Sequence, residues 1–289
     1  MLKKELFSIC TFYAISPIHA GSGASTSAVD LPIQRERHTN WPHIQASAVK
    51  GAIRSHYRKF AGDNNSDIIN LIFGSDSSND KGRTGADDGL PGALSVSDAK
   101  LLAFPIRSNI APFVWVTCPS VLKRLNNDLA FVQIEQLGNI PEVNKEEAVA
   151  LIGSISGEVI LEDAVITVKE VAAKPQLPPS FPPAEKLLLV SDEMFDYCVS
   201  SCTEIQTQIK IDSEKGTAQD GALRYQELLP ADLILYSIVY YSKAGMNELQ
   251  AATIKGHIED VVKEFIQIGG DETLGRGICK ISWINGGAK

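Results

Sequence analysis

Residues 5–60 read ELFSICTFYAISPIHAGSGASTSAVDLPIQRERHTNWPHIQASAVKGAIRSHYRKF, and the fold is decided here. Residues 5 to 15 alternate and are rich in β-branched and aromatic types, the pattern of a strand. Ser16-Pro17 ends it, and the glycine-serine stretch HAGSGASTS opens a loop, with Asp30 just beyond. From Ser47 to about Phe60 the apolar residues Val49, Ile53, Tyr57 and Phe60 recur at helical spacing, with Ser47 placed to cap the first turn. Lys50, Arg54 and Arg58 follow one another at i, i+4 and i+8, a basic stripe on another face of that helix.

The same punctuation continues outward. Residues 74–92 (GSDSSNDKGRTGADDGLPG) are polar, acidic and glycine-rich, the core of an exposed insertion expected over 62–92. The segment lacks a terminal Gly-Lys-Ser/Thr and leads into the strand-like Ala93 to Val96, so it is assigned no nucleotide. Residues 157–171 read as a strand, and KPQLPPSFPP (174–183) must be extended because proline fixes φ. Residues 185–202 look helical, and 205–230 have the alternation and central turn residues of a long β-hairpin. LILYSIVYYS (233–242) is the best candidate for a buried central strand. Residues 247–267 read as an amphipathic helix, followed by IGGDETLGRGICKISWI, a glycine-rich loop running into a final strand. The order points to one α+β domain over 1–289, a ferredoxin-like sheet with insertions, in which 172–230 would be a proline-rich linker and a hairpin.

Composition narrows the function classes. A chain of 289 residues with 44% hydrophobic content can bury a full core. The five cysteines are odd in number and scattered, which reads as reduced, cytosolic and structural. Glu5 interrupts the apolar N-terminal stretch, against a signal peptide, and no run reaches the ~18 apolar residues of a membrane span. A net charge of −8 is unusual for a nucleic-acid binder, but residues 31–60 hold six basic side chains and one acid, a local +5 that leaves −13 elsewhere. Base concentrated in one segment suits a phosphate-tracking groove.

Three features carry chemistry. The loop IGGDETLGRG lets backbone approach phosphate oxygens, with Arg276 supplying charge; an ordinary helix-to-strand turn explains it equally well. The basic stripe could follow a sugar-phosphate backbone or be a solvated face. His19 and Asp30 flank the SGAST loop, where an imidazole and a carboxylate could move a proton during attack on phosphorus; His19 could also be structural and Asp30 could bond its own loop. Metalloprotease, zinc-ribbon and hydrolase motifs are absent.

Three blocks, SPIHAGSG continuing to VDLPIQRERHTNWPHIQASAVKGAIR, GALSVSDAKLLAFPIRS, and IGGDETLGRG, resemble the RAMP superfamily, and within it the backbone subunits of type III-B CRISPR (Cmr) effector complexes. IKIDSEKGTAQDGALRYQELLP resembles the hairpin segment of those subunits. The resemblance implies an RRM-like palm with a protruding thumb, with copies stacking in a filament along one CRISPR RNA beside other Cmr subunits in the cytoplasm. It also implies an endoribonuclease dependent on a divalent ion, Mg or Mn, that cuts paired single-stranded target RNA at regular intervals. Carried over by position, Asp30 would be the catalytic carboxylate, binding the ion or helping to deprotonate the attacking 2′-hydroxyl, and His19 would contact phosphate near the scissile bond. Glu227 is the hairpin's candidate, although this chain reads YQELLP where the family tends to carry paired acids and a tyrosine. Lys50 and Arg54 match the guide-gripping helix, which Arg58 extends, and Gly269, Gly270, Gly275, Arg276 and Gly277 match the supporting loop. A guide-holding scaffold without nuclease activity is the alternative. A processing nuclease of the same superfamily is the third reading, which the blocks match less well.

Overall fold

In the computed structural model, residues 6–61, 66–75, 91–178, 184–244 and 249–285 are described. The first strand forms where expected: β1 is Phe7–Ala14, buried on both faces except at Tyr13. A short β2 (His43–Ile44) leads into α1 (Ala46–Phe60) and α2 (Ser66–Phe73). Then come β3 (Leu94–Val96), β4 (Ala99–Ile106), β5 (Val114–Thr117), α3 (Pro119–Phe131), β6 (Glu147–Ile152), β7 (Gly157–Leu161) and β8 (Ala164–Lys169). The chain continues through β9 (Leu187–Val190), α4 (Asp192–Ser201), β10 (Glu204–Gln208), β11 (Arg224–Leu228), β12 (Ile234–Tyr241), α5 (Ala251–Val261), β13 (Phe265–Gln267) and β14 (Ile278–Asn285).

Among the described residues the strands form one large mixed sheet, in the order β13-β14-β1-β12-β4-β5-β9-β6-β8-β7, with β2 and β3 attached to β4 and β12. The separate β10-β11 hairpin stands outside it. β12, read from LILYSIVYYS as central, pairs antiparallel with β1, β3 and β4, and Tyr236 and Tyr241 are fully buried in it. β1 lies between β12 and β14, with Ile9 opposite Ile238 and Ile284. Most pairs are antiparallel, while β5-β9 and β6-β8 are parallel. α1 buries Val49, Ile53 and Tyr57 and packs against β3, β13, α2 and α5.

Several expectations are corrected. Ser47 does not cap α1: the helix begins after Gln45, and the Asp98 carboxylate accepts from the Ala46 N–H at 2.7 Å. Phe60, at the helix end, is 64% exposed and packs on His56 instead of joining the core. The stretch 157–171 is two strands joined through Glu162, whose φ of 54° turns the chain and whose carboxylate pairs with Arg107. Within 185–202, LLLV is the buried strand β9 and the helix starts only after Ser191, whose Oγ accepts from the Met194 N–H at 3.1 Å. A fully buried strand and a buried helix segment share the same apolar run, which is why periodicity misread it. The span 172–230 therefore contains β9 of the main sheet and α4 besides the hairpin. Among the described residues of 247–267 only 251–261 is helical, and 265–267 forms the edge strand β13. Of the insertion expected over 62–92, residues 66–73 form α2, and Ile69, Ile72 and Phe73 are buried rather than exposed. Residues 62–65 and 76–90 lie outside the described residues, as do 179–183 of the proline-rich stretch. All five cysteines are free, and four are buried. No helix among the described residues is long and apolar enough to cross a membrane.

Candidate active site

The hairpin strand β11 organises the site. Its residues alternate between two edges, as strand geometry dictates. Gln226 pairs with Gln206 of β10 on one edge. The backbone groups of Tyr225, Glu227 and Leu229 point to the other and bind the glycine-serine loop. Ile18 and Leu229 exchange two backbone hydrogen bonds of 2.9 Å, fixing the start of the loop. At its far end the Leu31 N–H donates to the Tyr225 carbonyl at 3.1 Å and the Glu227 N–H donates to the Leu31 carbonyl at 3.0 Å. Both ends of the loop that carries Asp30 are thus tied to β11 and the residue that follows it, far off in sequence.

Asp30 hangs on that edge. Its Oδ2 accepts from the Tyr225 N–H at 2.8 Å, and its own carbonyl accepts from the Ser25 N–H at 2.8 Å. The side chain therefore binds the hairpin, and only the backbone binds its own loop. The residue is half-buried, and Oδ1 makes no hydrogen bond to the described residues. His19 hangs two residues farther along: its Nδ1 lies 3.0 Å from the Glu227 carbonyl oxygen. A carbonyl only accepts, so Nδ1 carries a hydrogen and donates it. Asp30 and His19 are not hydrogen-bonded to each other; they are anchored about 7 Å apart along the strand.

Glu227 has a different place from the one expected of a catalytic acid. It is 7% exposed. Oε1 accepts from Arg35 Nη2 at 2.7 Å and from the Thr203 hydroxyl at 2.8 Å, and Oε2 accepts from the Ile33 N–H at 3.1 Å. Both oxygens are taken up in holding the loop, the hairpin and the end of α4 together.

The glycine-rich loop closes the site from the third side. The Gly270 N–H donates to the His19 carbonyl and the Gly277 N–H to the Pro17 carbonyl, both at 2.9 Å. A Cβ at Gly277 would come within 1.9 Å of the Ile268 carbonyl oxygen, and one at Gly269 within 2.6 Å of the His19 carbonyl oxygen, so close backbone approach requires glycine at both. Gly275 turns in the left-handed region, with open space around it. Arg276 does not project free: its guanidinium donates to the Gln206 amide oxygen of β10. The Gln226 amide donates to the Asp271 carboxylate at 2.7 Å, a second tie between loop and hairpin.

The basic segment is partly spent internally. Arg35 is consumed by Glu227 and by the Val199 and Asn40 carbonyls, and Lys59 pairs with Glu272. On the α1 stripe Lys50 is half-buried, and burial, reinforced by repulsion from Arg54, lowers its ammonium below the ordinary range. Lys50 makes no ion pair with the described residues. Arg54 Nη2 donates to the Asn70 side chain of α2 at 3.3 Å, and Arg58 is exposed. Sequence reading missed Arg35, Thr203, Tyr225, Gln226 and Asp271 as site members. Four of them lie in the hairpin, the glycine-rich loop or the loop after Asp30, yet their partners are far off in sequence and leave no local pattern.

Asp30, His19, the hairpin and the glycine-rich loop thus form one constellation from four separated segments. The model of the RAMP superfamily matches residues 11–280. The chain belongs to that superfamily. This RAMP protein is 34% identical over 284 residues, 93% of either chain, to a protein of Pyrococcus furiosus named CRISPR system Cmr endoribonuclease Cmr4. It also superimposes on oligomeric Cmr4 from Pyrococcus furiosus with a TM-score of 0.69 at 25% identity, covering 98% of this chain and 99% of that one. A chain of the type III-B Cmr-beta complex bound to cognate target RNA shares the fold, with a TM-score of 0.74 at 23% identity over 96% of each. Among the described residues no group of three or more His, Cys, Asp or Glu is arranged to hold a metal ion. A magnesium-type ion keeps several waters and takes one or two carboxylates plus substrate phosphates, so the single free oxygen of Asp30 fits such an ion shared with RNA.

Proposed function

We propose that this chain is the repeating guide-binding subunit of a cytoplasmic type III-B CRISPR effector, and that it cuts paired target RNA at the Asp30 loop. The large sheet serves as an RRM-like palm and the β10-β11 hairpin as its thumb. Its partners are the CRISPR RNA, the target RNA, the other Cmr subunits and further copies of itself. The 34% relative is named an endoribonuclease, and the solved relatives are an oligomer and an assembly on target RNA, which supports this reading. The observation that carries it is the hanging of Asp30 and His19 on one edge of β11, with one Asp30 oxygen left over.

In that arrangement the Asp30 carboxylate, held in orientation by the Tyr225 N–H, takes the proton of a 2′-hydroxyl as its oxygen attacks the adjacent phosphorus; the P–O5′ bond breaks, leaving a 2′,3′-cyclic phosphate and a 5′-oxygen that takes a proton from water. His19, oriented by the Glu227 carbonyl, presents Nε2 to the scissile phosphate. In the other role open to Asp30, it would instead hold a divalent ion together with RNA phosphates, and that ion would offset the charge developing on the phosphoryl oxygens. Lys50, Arg54 and Arg58 of α1 and the glycine-rich loop hold the guide through its backbone, which carries no sequence information; that comes from base pairing. The test is the complex reconstituted with its guide and given matched and mismatched target RNA in magnesium, manganese or chelator. Regularly spaced products from matched target only, lost in chelator, are expected.

The second reading is a scaffold that holds the guide and does not cut. The Asp30 hydrogen bond to the hairpin favours it, since a carboxylate so used can serve structure alone. Tight target binding with no products in either metal would select it.

A further inference from the structure

We propose that Arg35 is a positioning residue for this cleavage, acting through Glu227. The inference rests on cleavage at the Asp30 loop. Residues 30–33 run alongside β11 through three contacts: Asp30 to the Tyr225 N–H, the Leu31 backbone to Tyr225 and Glu227, and the Ile33 N–H to the Glu227 carboxylate. The last of these needs a buried acceptor on the hairpin, and here that acceptor is a carboxylate. Glu227 is 7% exposed, and burying a carboxylate is costly unless a cation and hydrogen-bond donors pair with it. Arg35 is that cation, at 2.7 Å, and its side chain is itself 17% exposed. Its other guanidinium contacts are the carbonyls of Val199, at the end of α4, and of Asn40, at 3.0 and 3.1 Å. Thr203, which follows α4, donates to the same Glu227 oxygen.

Arg35 lies two residues beyond Ile33, so one short segment supplies both the cation that neutralises Glu227 and the N–H that Glu227 holds. This sets the register of residues 30–33 on β11 and hence the place of the Asp30 carboxylate. Loss of Arg35 leaves a buried charge that draws water or turns outward, freeing Ile33 and letting the Asp30 end of the ladder shift. Misplacement of a reacting group by about 1 Å costs on the order of a hundredfold in rate. Arg35 therefore belongs to the catalytic geometry and not to the phosphate-tracking surface its sequence position suggests.

The test uses the guide-loaded complex with Arg35→Met, Glu227→Gln and the double variant. It reads single-turnover cleavage, target affinity and hydrogen exchange of the amides of residues 30–35. Arg35→Met is expected to slow cleavage by about tenfold or more at unchanged target affinity, with lost protection at Leu31 and Ile33. The double variant has no charge to neutralise and should return to within about threefold of wild type, a recovery that a mere packing defect would not show. An Arg35→Met variant that cuts and protects as wild type does overturns the proposal, and so does a double variant as slow as Arg35→Met. Should Arg35→Met not assemble, Arg35→Lys, which keeps the cation, decides: assembly with cleavage upholds the proposal, and failure equal to Met removes it. If the wild-type complex itself does not cut, the nuclease reading falls. Exchange then decides alone, with lost protection in Arg35→Met upholding the strut and unchanged protection refuting it.

Discussion

The Asp30 carboxylate accepts a hydrogen bond from the backbone N–H of Tyr225 at 2.8 Å, across 195 residues of chain. That N–H lies on the edge of β11 turned away from β10, so it is spent on the loop and not on the hairpin ladder. Tyr225→Pro removes it while leaving the Gln206-Gln226 pairing in place. Cleavage by the assembled complex should fall by about tenfold or more, the worth of one hydrogen bond to a charged group. Single-turnover rates with parallel circular dichroism check this.

The glycine-rich loop gives a contrast between two positions of like backbone conformation. Gly277 and Gly275 both have φ of 73°, but a Cβ at Gly277 meets the Ile268 carbonyl oxygen at 1.9 Å, whereas one at Gly275 meets nothing within 4 Å. Gly275→Ala should cost about 1–2 kcal/mol, the left-handed strain alone. Gly277→Ala must also displace the backbone that holds Pro17 and should cost clearly more, or prevent folding. Thermal melts of the two variants report the difference.

On α1 the two inner cations should behave differently. Lys50 has no acidic partner among the described residues, so Lys50→Ala should leave the melting temperature nearly unchanged. It should reduce the salt slope of guide binding by about one unit. Arg54→Ala also loses the Asn70 contact that ties α1 to α2 and should lower both the melting temperature and guide affinity.

Acid stability should depend on Glu36. Burial works to raise its carboxyl, but hydrogen bonds from Arg124 and Thr39 outweigh this and hold it below the usual carboxylate range. A carboxylate whose folded pKa is depressed contributes stability above its unfolded pKa, about 4.3, and loses that contribution as pH falls through the folded value. Wild type should therefore lose stability below about pH 4.3 more steeply than Glu36→Gln. At pH 7 Arg124→Met should cost about 2 kcal/mol. Denaturant melts across pH 3 to 7 would show both.

Sequence reading reached the elements that announce themselves locally. β1, the central β12, the hairpin and the entry of the glycine-rich loop into β14 follow from alternation and turn residues. It failed where burial on all sides erased the period, as in LLLV of β9, and where a turn was made by Glu162 instead of asparagine-glycine. Ser47 looked like a cap because capping by a remote Asp98 leaves no trace near the helix. At the site, His19 and Asp30 were legible as the flanks of the SGAST loop and the glycines as a close-approach loop, while family resemblance supplied their expected roles. The partnership of Glu227 with Arg35, Thr203 and Ile33 joins residues 24 to 194 positions apart, a scale at which no spacing argument operates.

The central claim is that Asp30 acts in the chemistry and not only in tying down its loop. The decisive measurement compares the wild-type complex with Asp30→Ala, each loaded with guide, for cleavage of matched target RNA in magnesium or manganese and for target affinity. Regularly spaced products that vanish in the variant while affinity stays within about twofold are the predicted result. Products of undiminished rate from Asp30→Ala would contradict it.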